Sequence, residues 1–294
     1  MNCQVIGKFK YTKDVFTSIL RYNMIFCNLP SVNFFGLKIS VFSEEELILS
    51  IKQGMVDNNP AKIYYGYSLA VLSYIKNYPS YHKTAQEFDV MVTDGRLFYL
   101  LARLFGFKLK YDISIPILTL LAVDIAADNS FKIMLVGGTS ESNAQANANL
   151  KINYPNINLL AGIDGFYDRA QEVEIIAKIV DSKPNLLLLG LPTPEKQLLA
   201  TKLRPLLNGC VIIPCGGMID VLAGKEKLTP HWLKKIGLAS IYRHIQHPKR
   251  IPELILILFR TLKVSSVIFY LKFIRRSENI DIPSIVCGNN STSE

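Results

Sequence analysis

Two acid-glycine pairs, Asp94-Gly95 and Asp164-Gly165, and two glycine pairs, Gly137-Gly138 and Gly216-Gly217, each follow a short apolar run. An aspartate delivered by a buried strand and followed at once by glycine and a helix is held by rigid elements. Asp94 is therefore a candidate general base or acceptor for a substrate hydroxyl, with Thr93 and Gly95 beside it; the alternative is a cap for the helix that follows. Gly216 and Gly217 let a ligand approach the backbone, and Asp220 offers oxygens to a ribose or sugar hydroxyl. There the alternative is a tight turn whose aspartate caps the next helix. Gly137-Gly138-Thr139-Ser140 opens a helix whose first amides suit an anion such as a diphosphate. Gly-x-Gly-x-x-Gly is absent, which argues against a nicotinamide or flavin cofactor. Phe166 and Tyr167 follow Asp164-Gly165; an aromatic there either stacks on a base or sugar or packs in the core.

Strands and helices alternate around these turns. The patterns predict strands at 35–41, 62–67, 88–93, 131–136, 157–161, 186–190 and 210–215. Helices are expected at 43–56, where Ser43-Glu44-Glu45-Glu46 forms a capping box, and at 69–77, 96–104, 117–128, 140–153, 170–180 and 195–207. Continuous apolar runs such as Leu186–Gly190 mark strands buried on both faces. The expected fold is α/β: a mostly parallel, Rossmann-like sheet flanked by helices, with ligands beyond the carboxyl ends of its strands.

The chain has 294 residues and a formal net charge of +9. Twelve Lys or Arg face two acids between Lys225 and Arg276, so the basic excess sits in that segment. It suits phosphates or lipid headgroups. The stretch 254–274 is strongly apolar but interrupted by Arg260, Lys263 and Lys272, which fits an in-plane membrane helix better than a spanning one; packing on the core or on a second copy is the alternative. The five cysteines have no metal-ligand spacing and read as reduced thiols, so no metal is expected. The apolar stretch near the N-terminus is broken by Arg21, Asn23 and Asn28, which argues against a signal peptide and export. The expected organisation is a poorly defined segment at 1–34, an α/β core at 35–225, a basic, apolar helical appendage at 226–276 and a disordered tail at 277–294.

Over roughly 35–250 the chain resembles the WecG/TagA/CpsF glycosyltransferase family. The resemblance rests on Thr93-Asp94-Gly95, Leu135-Val136-Gly137-Gly138, Tyr154-Pro155, Asp164-Gly165-Phe166-Tyr167 and Lys183-Pro184-Asn185 leading to Gly190. It continues through Gly216-Gly217-Met218-Ile219-Asp220-Val221-Leu222-Ala223-Gly224-Lys225, Pro230-His231-Trp232, Tyr242-Arg243 and Pro248-Lys249-Arg250. The chain departs from the family pattern where an Asn is expected near Tyr65-Gly66. It departs again where Pro-x-Gln-Glu becomes Pro194-Glu195-Lys196-Gln197, with Gln197 displaced by one position.

The resemblance implies an inverting, cofactor-free and metal-independent transfer of an N-acetylmannosamine-type or related sugar. The donor would be a UDP-sugar and the acceptor a polyprenyl-diphosphate-linked sugar at the cytoplasmic face of a bacterial plasma membrane. Asp94 would be the general base; Asp220, Gly216, Gly217 and Tyr167 would lie about the nucleotide; Arg243, Lys249 and Arg250 would meet the lipid diphosphate and the anionic membrane. A homo-oligomer is a further expectation. The alternative function is a non-catalytic nucleotide-sugar-binding scaffold of a polysaccharide assembly complex. Nucleic acid is a poorer partner, because the basic segment is interleaved with aliphatic runs rather than stacking platforms.

Overall fold

The structure, a computed structural model, describes residues 29–246, 249 and 251–287. The described residues open with a hairpin, β1 (Ser31–Phe34) and β2 (Leu37–Ser40), paired antiparallel. The strand expected at 35–41 is only the second arm, β2; β1 lies in the segment expected to be poorly defined, and Phe35 and Gly36 form the turn between them, both with positive φ, 50° and 87°, as a two-residue hairpin turn requires. Ser43 then caps α1 (Glu44–Gly54): its hydroxyl accepts from the Glu46 amide, and the Glu46 carboxylate accepts from the Ser43 amide.

The central sheet contains β3 (Lys62–Tyr67), β4 (Val90–Thr93), β5 (Lys132–Gly137), β6 (Asn158–Leu159), β7 (Leu186–Gly190) and β8 (Val211–Ile213). Their spatial order is β4-β3-β8-β7-β5-β6 and every pairing is parallel. All carboxyl ends therefore lie along one edge, where open α/β sheets take their ligands. Leu186 to Leu189 and Val211 to Ile213 are fully buried. Burying one such side chain is worth about 1.5–3 kcal/mol, so these middle strands anchor the core.

The connecting helices are α2 (Val71–Asn77), α3 (Pro79–Gln86), α4 (Arg96–Leu104), α5 (Ile115–Asp128), α6 (Ser140–Asn153), α7 (Glu172–Ser182), α8 (Glu195–Leu203) and α9 (Met218–Leu222). The pattern missed α3, which starts at Pro79 directly after α2; proline at a first helical position costs no hydrogen bond. The strand expected at 157–161 shrinks to two residues. Position 1–28 of the expected N-terminal segment lies outside the described residues.

Beyond the sheet come α10 (His231–Lys235), α11 (Ala239–Gln246) and α12 (Ile251–Phe269), the last continued by a π turn to Ile274. Gly237, at φ 82°, separates α10 from α11. The helix α12 packs on α2 and on a last helix, α13 (Ile282–Cys287), which itself packs on α2. The tail expected to be disordered therefore carries a helix, with Ile282 buried and its amide bonded to the Phe35 carbonyl. At the far end of α12 the Lys272 ammonium donates to the Phe105 carbonyl and lies over the Phe35 and Phe107 rings, at 5.3 and 5.4 Å.

Candidate active site

The strand β4 delivers Thr93, which is buried, and then Asp94. The Asp94 amide donates to the Tyr67 carbonyl at the end of β3, which fixes the backbone against its neighbour. Its carboxylate does not cap the helix that follows; Gly95 stands at that cap with no side-chain bond. Instead Asp94 Oδ1 accepts from the Ile115 amide, 3.0 Å away, at the first turn of α5. Two elements distant in sequence thus hold one oxygen, and Oδ2 accepts no hydrogen bond among the described residues. Gly95 has φ 114°, and a Cβ there would meet nothing within 4 Å, so the turn that follows Asp94 opens onto free space. A half-buried carboxylate with one anchored and one open oxygen beside such a turn can accept a proton from a hydroxyl placed there.

Tyr65 and Tyr67 sit two apart on β3 and so share a face of the sheet. Gln197 on α8 donates its Nε2 hydrogen to Tyr65 Oη at 2.9 Å, and Tyr81 donates to the same oxygen at 3.4 Å. Two polar atoms are left over: Tyr67 Oη and Gln197 Oε1 are buried with no partner among the described residues. Orphans of this kind cost about 1–3 kcal/mol each and mark where a ligand or water supplies the missing bond. Burial pushes the Tyr65 and Tyr67 phenols well above their usual range, Asp94 adding its charge at Tyr65, so both stay protonated. Tyr65 and Tyr67 were missed as site residues; the run Tyr64-Tyr65-Gly66-Tyr67 at a strand end was the available signal.

The strand β8 leads to Gly216 and Gly217. Gly216 has φ 59°, the left-handed region that favours glycine, and a Cβ there would lie 3.1 Å from Lys196 Nζ. Asp220 lies within the first turn of α9 rather than capping it; Gly217 holds the cap position. The Asp220 carboxylate is half-buried and makes no side-chain hydrogen bond among the described residues, so it is available to a ligand. Adjacent strands lie about 4.8 Å apart, so the ends of β4 and β8 are roughly 10 Å apart across β3. That is room for a sugar between Asp94 and the turn of Gly216.

The glycines of β5 and β7 have a different surrounding. A Cβ on Gly137 would come within 2.5 Å of the Gly190 backbone, and one on Gly190 within 2.5 Å of Ile219 Cδ1. Thr139 caps α6 through its own hydroxyl, accepting from the Ser142 amide. The buried Asn143 amide donates to the carbonyls of Leu135, Gly137 and Ile163. Gly137, Gly138 and Gly190 therefore serve close packing of backbone, and they set the position of the β8 turn through Ile219.

Tyr167 stands apart from Asp94. It is half-buried, its phenol raised by burial and by Glu172 and Glu195, and it lines a groove of about 1050 Å³ beside the edge strand β6. Ser140, Asp164 and Phe166 line it too, whereas Asp94, Gly216, Gly217 and Asp220 do not. The groove lies at the sheet margin, and Tyr167 stands close enough to feel the charge of Glu195 in the first turn of α8. Of the three basic residues, Arg243 lies in α11, Lys249 is exposed just before α12, and Arg250 lies outside the described residues. No group of three or more His, Cys, Asp or Glu suited to a metal occurs among the described residues. Cys210 and Cys215 are buried free thiols, and burial raises Cys215 to about 12, which leaves it protonated at neutral pH. Cys3 and Cys27 lie outside the described residues.

A family model described as glycosyl transferase, WecG/TagA/CpsF family, matches residues 32–275. That span takes in the whole sheet, the Asp94 and Asp220 turns, and the helices to the end of α12. The chain therefore belongs to the WecG/TagA/CpsF family of glycosyltransferases, enzymes of cell-surface polysaccharide synthesis.

Proposed function

We propose that the protein is an inverting transferase that moves a hexose, of the N-acetylmannosamine type or a relative, from a UDP-sugar to a polyprenyl-diphosphate-linked sugar. The observation that carries this reading is Asp94, with Oδ1 anchored by the Ile115 amide and Oδ2 open beside Gly95. In the proposed reaction the acceptor hydroxyl lies against that oxygen and loses its proton to it as it attacks the anomeric carbon. The donor diphosphate leaves from the opposite side, toward Gly216, Gly217 and Asp220. Tyr67 Oη and Gln197 Oε1 supply a donor and an acceptor for sugar hydroxyls between them. The decisive experiment is UDP release by the full chain with a panel of UDP-sugars and a short-chain lipid-diphosphate sugar. Acceptor-dependent release should fall about 10²–10⁴-fold in Asp94→Asn. Wild-type turnover in that variant would remove Asp94 from the role of base, whereas UDP-sugar binding without turnover for any acceptor would favour the scaffold reading.

The membrane is the proposed location of the acceptor. Along α12 and its π continuation Ile255, Phe259, Leu262, Phe269 and Phe273 follow one another at spacings that keep them on one side of the helix and are exposed, while Leu254, Ile257, Val264 and Ile268 are buried on the opposite side. The helix and its continuation are long and apolar enough to cross a bilayer by length and composition. Spanning would strip the inner stripe from α2 and α13 and pull Lys272 from Phe105, so an in-plane position with Lys and Arg toward headgroups is the better fit. This supports a cytoplasmic enzyme attached peripherally to the inner membrane face. Flotation with anionic liposomes tests it: binding should weaken in Phe259→Asp/Leu262→Asp, and a change of oligomeric state instead would assign the stripe to a second copy.

A further inference from the structure

We infer that Lys196 is the cation that receives the charge of the departing nucleoside diphosphate, a role that rests on the transferase reading above. Lys196 lies in the first turn of α8, where the helix dipole disfavours a positive side chain. Its ammonium lies over the seam between β3 and β8: Nζ is 5.7 Å from the centre of the Tyr65 ring and 3.1 Å from the place a Cβ would take on Gly216. The same charge reaches the Cys215 thiol at the end of β8, where it opposes the upward push of burial. The ammonium thus lies at the end of β8, within the strip between the Asp94 and Asp220 turns.

The absence of a side chain at Gly216 leaves room for the ammonium. The half-buried position strengthens its field relative to bulk water. In the transfer, the bond from acceptor oxygen to anomeric carbon forms as the bond from that carbon to the diphosphate oxygen breaks. The electron pair of the broken bond leaves on the diphosphate, which gains one negative charge, and the acceptor proton passes to Asp94. A fixed cation at the diphosphate lowers the cost of that added charge. Lys196 also occupies the segment where the chain departs from the family pattern, so the cation belongs to this chain's own version of the site.

The test is titration calorimetry of the full chain with UDP and with UMP, beside steady-state rates. Lys196→Met should weaken UDP about ten- to a hundredfold, as loss of one charge-assisted contact does. It should leave UMP within about twofold, because UMP lacks the outer phosphate, and it should lower kcat. Lys196→Arg should regain much of the UDP affinity, which a merely structural role at the Tyr65 ring would not restore selectively. Circular dichroism melts check folding, and if Lys196→Met fails to fold, Lys196→Gln with the same ligand pair replaces it. An unchanged ratio of UDP to UMP affinity in a folded variant overturns the assignment while leaving the transferase reading intact. A wild-type chain that binds neither UDP nor UDP-sugars overturns both.

Discussion

Glycines end strands at two places along the same sheet edge, and their surroundings are opposite. At β5 and β7, Gly137 and Gly190 exist because backbone meets backbone; a methyl group would collide with main chain or with Ile219. At β4 and β8, Gly95 faces space and Gly216 faces only the tip of a lysine. One motif therefore has two uses. A glycine at a strand end says that something comes close, and only the three-dimensional neighbour says whether that is the protein itself or a ligand. The two kinds of glycine meet where β7 and β8 are neighbours: a Cβ on Gly190 would lie 3.0 Å from the Gly216 carbonyl, so the packed end of β7 is what fixes the open turn after β8.

Substitutions separate the two regions, and the largest effect belongs to the open one. Asp94→Asn should cost about 10²–10⁴-fold in transfer rate with a melting temperature close to wild type, read by UDP release and calorimetry. Next in size is a folding effect in the closed region. Gly137→Ala combines φ 128° with a backbone clash and should destabilise by about 3 kcal/mol or more, seen in urea unfolding. Gly216→Ala, at φ 59° with only a flexible side chain to displace, should cost about 1–2 kcal/mol. Equal losses of stability at the two glycines would break the comparison.

Smaller effects sharpen it. Tyr67→Phe removes a buried hydroxyl with no protein partner, so stability should hold or rise by up to about 1 kcal/mol while KM for a sugar substrate rises. A drop in stability with unchanged KM would mean that the hydroxyl serves folding through water instead. Ser43→Ala, remote from both regions, should cost about 1 kcal/mol through loss of the capping box and leave KM alone. The Cys215 thiol, raised to about 12 by burial, is protonated throughout the neutral range, so alkylation at pH 8 followed by peptide mapping should mark Cys287 and spare Cys215.

Much of the fold was legible because buried parallel strands advertise themselves. Leu186–Gly190 and Lys62–Tyr67 were found at their observed bounds, and Arg96–Leu104 likewise as a helix. The errors fell where local signals are weak or compound. The hairpin at Phe35-Gly36 hides in one apolar run, since its turn begins with a phenylalanine, and α3 follows α2 with no loop between them. The helix α13 looked like disordered tail because its six residues gain stability only by packing on α2.

The candidate site divides in the same way. Asp94 was visible because it sits just beyond a strand end, and Asp220 because it follows the glycine turn after one; both turns are set by short-range pattern. Their competing reading as helix caps was settled by the tertiary structure: Asp94 bonds across to Ile115, and Asp220 lies within the first turn of α9, with Gly217 at the cap. Tyr65, Tyr67 and Lys196 lie where the family pattern is broken or silent, and Tyr65 and Lys196 gain their place from partners more than a hundred residues away, Gln197 at Tyr65 and Tyr65 beneath Lys196. By itself the sequence determined the order of strands and helices, the turns at which acids and glycines appear, and the family. Tertiary structure decided which turns are open, which oxygen is anchored and where Lys196 points. Those depend on strand order in space, β4-β3-β8-β7-β5-β6, and no local propensity encodes which distant strands become neighbours.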